Sequence, residues 1–242
     1  MLILNYISFF FLIILTFLSI SGYGAVFSNH KNINIFEKLF LGFIFLAFFN
    51  TLFHFFFKLN FYINLLIFLL GIIFFKINKL NIDKKKLFYF LIIIFLIPIF
   101  ITQKYHEDFG YYHLPYALSF LEEKIIFGLA NSNIAYTYNS IWLNVYPTFF
   151  TETKNYDFLT LPTFILFICF ILLLTHNFLN SKDWRLSNLF SIVLIFYYLL
   201  KFTRISEYGV DLPSSLYSNL AIFYFIKFFE TQDLDNKKNY FF

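Results

Sequence analysis

Phe164-Ile165-Leu166-Phe167-Ile168-Cys169-Phe170-Ile171-Leu172-Leu173-Leu174 runs for three turns of helix without a polar side chain. A helix that is apolar on every side is buried in a large core or in a bilayer, and a spanning helix needs about 20 such residues. Extended back to residue 158, this run has counterparts at 3–20, 36–57, 61–77, 87–102, 186–202 and 212–229, seven in all. The chain has 242 residues, 60% of them hydrophobic and only 13% charged, with a mean hydropathy of +0.71. Lipid satisfies no backbone polar group, so segments of this kind must be helical. The expected fold is therefore all-α, a polytopic transmembrane protein of about seven membrane helices.

The 42 Phe and 18 Tyr come with abundant Ile, Asn and Lys, and with two Arg against sixteen Lys. That joint bias reads as interchangeable apolar filler, so no single Phe carries a functional reading. The lone Cys169 excludes an intramolecular disulfide. Residues 3–20 lack the basic start of a signal peptide, and Gly22-Tyr23-Gly24-Ala25 is a poor cleavage site, so this segment reads as a retained helix.

Orientation follows from the basic residues. Lys76, Lys79, Lys84, Lys85 and Lys86 face a single acid, Asp83, in one short loop, which the positive-inside rule assigns to the cytoplasm. The N-terminus then lies outside and the C-terminus inside, with twelve of eighteen basic residues on the inner side. Eight of fourteen acids fall outside. The net charge of +4 is thus carried by inner-leaflet lysines, and no nucleic-acid signature is present. Three regions follow: 1–86, three helices and the basic loop; 87–229, a membrane core with outer loops at 103–157 and 203–211; and 230–242, a short cytoplasmic tail.

The large outer loop opens with His106-Glu107-Asp108-Phe109-Gly110-Tyr111-Tyr112-His113-Leu114-Pro115. Ionisable groups beside a bilayer mark a functional site by default. A carboxylate there can act as general base or metal ligand. Adjacent residues do not share a helix face, so one of Glu107 and Asp108 leads. The plainer alternative is that both solvate a helix end and pair with Lys104. Pro115 suits the start of a short helix over 115–124, and Ile141, Trp142, Val145, Tyr146 and Phe149 fit a second helix lying in the headgroup region. The loop 203–211 repeats the theme: Arg204 would clamp a phosphate or pair with Glu207, and Asp211 would join a site or cap the last helix. His106 and His113 have no third partner at zinc spacing, and His54 and His176 read as packing or interfacial residues. No dinucleotide, Walker or nucleophile-elbow motif occurs.

An acidic pair directly after a membrane helix, followed by a second outer loop with an Asp, resembles the GT-C superfamily of polyprenyl-phosphate-sugar-dependent membrane glycosyltransferases. A closer likeness is to an uncharacterised family of bacterial multispanning membrane proteins, through Tyr112-His113-Leu114, Gly128-Leu129-Ala130-Asn131 and Tyr138-Asn139-Ser140-Ile141-Trp142. The resemblance covers about residues 87–229. It implies a bacterial inner-membrane enzyme of the cell envelope, moving a sugar from a polyprenyl-phosphate donor to a glycan, lipid or protein acceptor. It further implies Asp108, with Glu107, as catalytic carboxylates, and Arg204 and Lys104 on the donor phosphate. His106, His113, Asp211 and Glu207 would be supporting groups, and Asp108 and Asp211 the ligands of any divalent metal (Mg or Mn). The superfamily continues through more helices, so an incomplete chain with a partner subunit supplying them is a further expectation. Two other readings stay open: a carrier or flippase for lipid-linked sugars, and a non-catalytic membrane subunit or remnant.

Overall fold

A computed structural model describes residues 2–28, 33–80, 108–137, 140–149, 159–181, 184–201 and 208–230. Among them the chain is all-α, with no strand. Seven α-helices are described: α1 (Leu2–Phe27), α2 (Ile35–Phe56), α3 (Phe61–Ile77), α4 (Leu114–Glu122), α5 (Leu161–Asn180), α6 (Leu186–Leu200) and α7 (Asp211–Glu230). The expected segment at 87–102 lies outside the described residues.

The opening sequence run is α5, and it is the centre of the bundle. Every residue from Leu161 to Phe170 is buried, whichever way its side chain points. Phe164 meets Phe9 of α1 at 6.2 Å between ring centroids, and Phe170 meets Phe40 of α2 at 6.3 Å and Tyr198 of α6 at 5.4 Å. Among the described residues three helices (the 9–27 part of α1, α2 and α5) are long and apolar enough to cross a membrane. The apolar α3 and α6 are shorter, and α7 is diluted by Asp211, Ser214, Ser215, Ser218 and Asn219. On α6 the exposed side chains include Leu189, Val193, Phe196 and Leu200, an apolar stripe turned outward at helical spacing. An outward apolar stripe suits membrane contact, and with the three long apolar helices it gives the chain the character of an integral membrane protein.

Helix α1 runs seven residues past the expected end at Ile20, through Gly22-Tyr23-Gly24. The reason is tertiary. A Cβ at Gly22 would sit 1.9 Å from the Gly71 carbonyl oxygen of α3, and one at Gly24 would sit 1.7 Å from the Lys38 carbonyl oxygen of α2. Glycine lets three helix backbones come together. Tyr23, buried between them, donates its hydroxyl to the Ile67 carbonyl, and Ser19 donates to Phe68 O at 2.8 Å.

The connection from α4 to α5 departs from the expected headgroup helix. Residues Ile141–Asn144 and Tyr146–Phe149 form two short 3-10 turns, and Trp142 through Phe149 are buried. They insert among the helices: Trp142 packs on Phe43, near the middle of α2, at 5.3 Å. Asn50 of α2 donates to the Asn144 carbonyl at 2.7 Å and to Thr148 Oγ1 at 2.8 Å. Asn64 of α3 donates to the Pro147 carbonyl at 2.8 Å. Irregular backbone at such depth is tolerated when protein groups satisfy it, and these two carboxamides do so. At the same end, α4 is held to the α2–α3 hairpin: Leu59 N–H donates to Phe120 O, Ile125 N–H to His54 O, and the His54 ring to Glu123 O.

Candidate functional site

Three pieces of chain converge on one pocket of about 250 Å³ at the end of the bundle where α6 stops and α7 starts. The first begins at Asp108 and continues as a π-helical turn, Phe109–His113, closed by Leu114 N–H to Phe109 O. Pro115 follows immediately, and its ring would crowd the carbonyl four residues back in a regular helix. The wider turn relieves that crowding. Such turns recur at functional sites, and this one holds Asp108, Tyr112 and His113 on the pocket wall.

The second piece is the last turn of α6. Tyr197, Tyr198 and Lys201 line the pocket. Lys201 Nζ donates to the Tyr197 hydroxyl at 2.8 Å and lies 4.6 Å from that ring's centroid. Tyr198 exchanges a hydrogen bond with Ser215 Oγ at 2.7 Å and accepts one from Asn219 Nδ2 at 2.7 Å, which ties α6 to α7 beneath the cavity.

The third piece is Tyr208-Gly209-Val210-Asp211. Asp211 opens α7, where a carboxylate is favoured by the helix dipole, and it also lines the pocket. Tyr208 packs on Tyr146 at 4.3 Å, on Phe109 at 5.1 Å and on His113 at 5.8 Å, so the pocket has an aromatic floor.

Tyr146 fixes this floor. Its hydroxyl donates to Gly209 O at 2.7 Å, accepts from Trp142 Nε1 at 3.0 Å and lies 3.1 Å from Thr163 Oγ1. The inserted 3-10 turns thus reach the pocket through one phenol. Burial pushes the Tyr146 hydroxyl up to about 12, so it keeps its proton and its donor role at any ordinary pH. Burial, with the neighbouring Tyr146, also drives Tyr208 well above the usual phenol value. The Tyr208 hydroxyl is buried and has no hydrogen-bond partner among the described residues. A buried phenol without a partner costs about 1–3 kcal/mol, a cost that a ligand oxygen would remove.

Of the residues singled out in the sequence, Asp108, His113 and Asp211 come together here. Glu107, His106, Lys104, Arg204 and Glu207 lie outside the described residues. The structure adds Lys201, Tyr208 and Ser215 to the pocket wall and Tyr146 beneath it. Lys201 had a signal: it is the first cation after the apolar run of α6, three residues before Arg204. Tyr208 had none, because only the fold buries it. Among the described residues no three or more His, Cys, Asp or Glu gather in a way that would hold a metal ion.

No curated protein and no solved structure matches the chain. A family model described as Domain of unknown function (DUF8201) matches residues 2–242, and the chain belongs to that family.

Proposed function

We propose that the chain is a GT-C-like glycosyltransferase that uses a polyprenyl-phosphate sugar in the pocket of Asp108 and Asp211. The observation that carries this reading is the convergence of two carboxylates, distant in sequence, with the cation Lys201 at one end of an apolar bundle. In this reading seven segments span a bacterial inner membrane with the N-terminus out, and the pocket opens on the extracytoplasmic face. Residues 103–157 form the large outer loop, part of it folded back into the bundle.

The chemistry follows from the residue types. Asp108 takes the proton of an acceptor hydroxyl as its oxygen bonds to the anomeric carbon. The bond from that carbon to the phosphate oxygen breaks, and its electron pair leaves with polyprenyl phosphate. Lys201 stabilises the charge that grows on the departing phosphate, with Arg204 and Lys104, which the sequence assigns to the two outer loops, as further cations. Tyr208, held neutral, donates a hydrogen bond to a ligand oxygen. Asp108 and Asp211 are the oxygen donors that would hold a divalent ion, which keeps several waters when so few ligands are offered and would add positive charge beside the phosphate. The polyprenyl chain lies against the exposed apolar stripe of α6.

The test is direct. Proteoliposomes holding the full chain, supplied with a polyprenyl phosphate carrying a radiolabelled sugar, are expected to move label into a lipid or glycan acceptor extracted from the same membranes. Label that crosses the bilayer still attached to its donor would replace this reading with that of a carrier.

A further inference from the structure

A second polar pocket, of about 500 Å³, lies at the opposite end of α5, α6 and α7. Two cations line it from different elements, Arg185 just before α6 and Lys227 in the last turn of α7. Lys227 lies within electrostatic range of Glu37 and Glu230 and, less strongly, of Arg185, so the two positive groups share one space with two acids. Both acids line the pocket beside Lys227, and each also takes a hydrogen bond at the start of a helix. Glu37 accepts the Asn34 N–H at 2.7 Å at the start of α2 and receives the Tyr224 hydroxyl, while Glu230 accepts the Ser187 N–H at 2.8 Å at the start of α6.

The remaining polar wall is made of neutral hydrogen-bonding groups. Asn177 donates to Asn188 Oδ1 at 3.2 Å, and Asn188, itself buried, donates to Ser181 Oγ at 2.6 Å. A cavity of this volume is ligand-sized. Cations pair with phosphate, while carboxamides and hydroxyls pair with hydroxyl groups. The surroundings say where the ligand comes from. Leu179, Trp184 and Leu186, on the flanking turns, are large, apolar and exposed, which suits a mouth in the bilayer surface rather than in water.

We propose that this pocket binds the phosphate and hydroxyl groups of a polyol-phosphate lipid headgroup, taken from the leaflet at that end of the bundle. Lys227 and Arg185 hold the phosphate, and Asn177, Asn188 and Ser181 face the hydroxyls. The site requires that the bundle sit in a bilayer; it does not require the opposite pocket to be catalytic.

The full chain in nanodiscs of equal phosphatidylglycerol and phosphatidylcholine, examined by native mass spectrometry, tests it. Phosphatidylglycerol should be retained over phosphatidylcholine by on the order of tenfold, the scale of one or two hydrogen bonds to the glycerol hydroxyls that choline cannot make. Arg185→Gln with Lys227→Gln should lower that ratio, since the zwitterionic choline headgroup is disfavoured by the cations, and Asn177→Leu, which removes a carboxamide without touching a charge, should bring it towards parity. Lys76→Gln, at an exposed cation on the same end of α3, should leave it unchanged. Displacement by millimolar glycerol 3-phosphate would assign recognition to the free polyol phosphate, and retention against it would assign recognition to the intact lipid. Equal retention of the two lipids by the wild-type chain, or an equal loss of preference in Lys76→Gln, would overturn the proposal.

Discussion

Asp108→Asn is expected to lower sugar transfer by about 10²–10⁴-fold while leaving the donor bound with unchanged affinity. The carboxamide keeps the size of the side chain and one carbonyl oxygen, so the π-helical turn and the pocket wall should persist. What it loses is the ability to take a proton as the acceptor oxygen attacks. A loss of that size is about 3–5 kcal/mol of transition-state stabilisation and should appear in kcat rather than in KM. Asp211→Asn separates the two roles of its residue: a carboxamide caps a helix as well as a carboxylate, so capping alone predicts near wild-type melting and kcat, whereas a site role predicts a fall in kcat. Transfer by Asp108→Asn at the wild-type rate would remove that residue from the chemistry and leave Asp211 as the sole described carboxylate of the pocket.

Gly71→Val is expected to abolish the folded bundle, the largest stability effect predicted. A Cβ at this position would lie 2.3 Å from Ser19 Oγ and 2.5 Å from the Ser19 carbonyl oxygen. The side chain could turn aside, but the carbonyl belongs to the backbone of α1, so α1 and α3 must separate. Overpacking typically costs about 1–3 kcal/mol, and here the separation also strains the bonds from Ser19 to Phe68 O and from Tyr23 to Ile67 O. Size-exclusion elution and thermal melting in mild detergent would show it, with Leu66→Val, at an exposed position on the same helix, as the harmless comparison. A monodisperse Gly71→Val with wild-type melting would show that this crossing is not held as described.

Among the described residues, the helices were legible wherever an apolar run decided them. Residues 164–174 read as a span because they carry no polar side chain, and the first half of α5 is buried on every side. Helix ends were less legible. Gly22-Tyr23-Gly24 looks like a break when read locally, and becomes continuous helix only because α2 and α3 press against it. The 3-10 turns at 141–149 could not be read at all. Trp, Tyr and Phe at close spacing describe an interface anchor and a core insertion equally well, and Asn50 and Asn64, which decide between them, lie in helices far away in sequence.

The pocket divides in the same way. Asp108 and Asp211 stood out because charge is scarce in this chain, and topology set them at one end. Lys201 reads locally as a lysine reaching for the membrane surface, and its place on the pocket wall depends on where the Tyr208–Asp211 segment returns. Tyr146 looked like one more aromatic residue. Its value lies in a single hydroxyl that joins the inserted turns to Gly209.

A polyprenyl phosphate bearing a diazirine next to the phosphate, irradiated with the full chain in nanodiscs and mapped by peptide mass spectrometry, asks whether the lipid phosphate occupies this pocket. Label on Lys201, Tyr208 and the turn after Asp108, competed away by unlabelled donor, is the predicted result. Label confined to the far pocket around Arg185 and Lys227, or spread evenly over the exposed apolar faces, would contradict it.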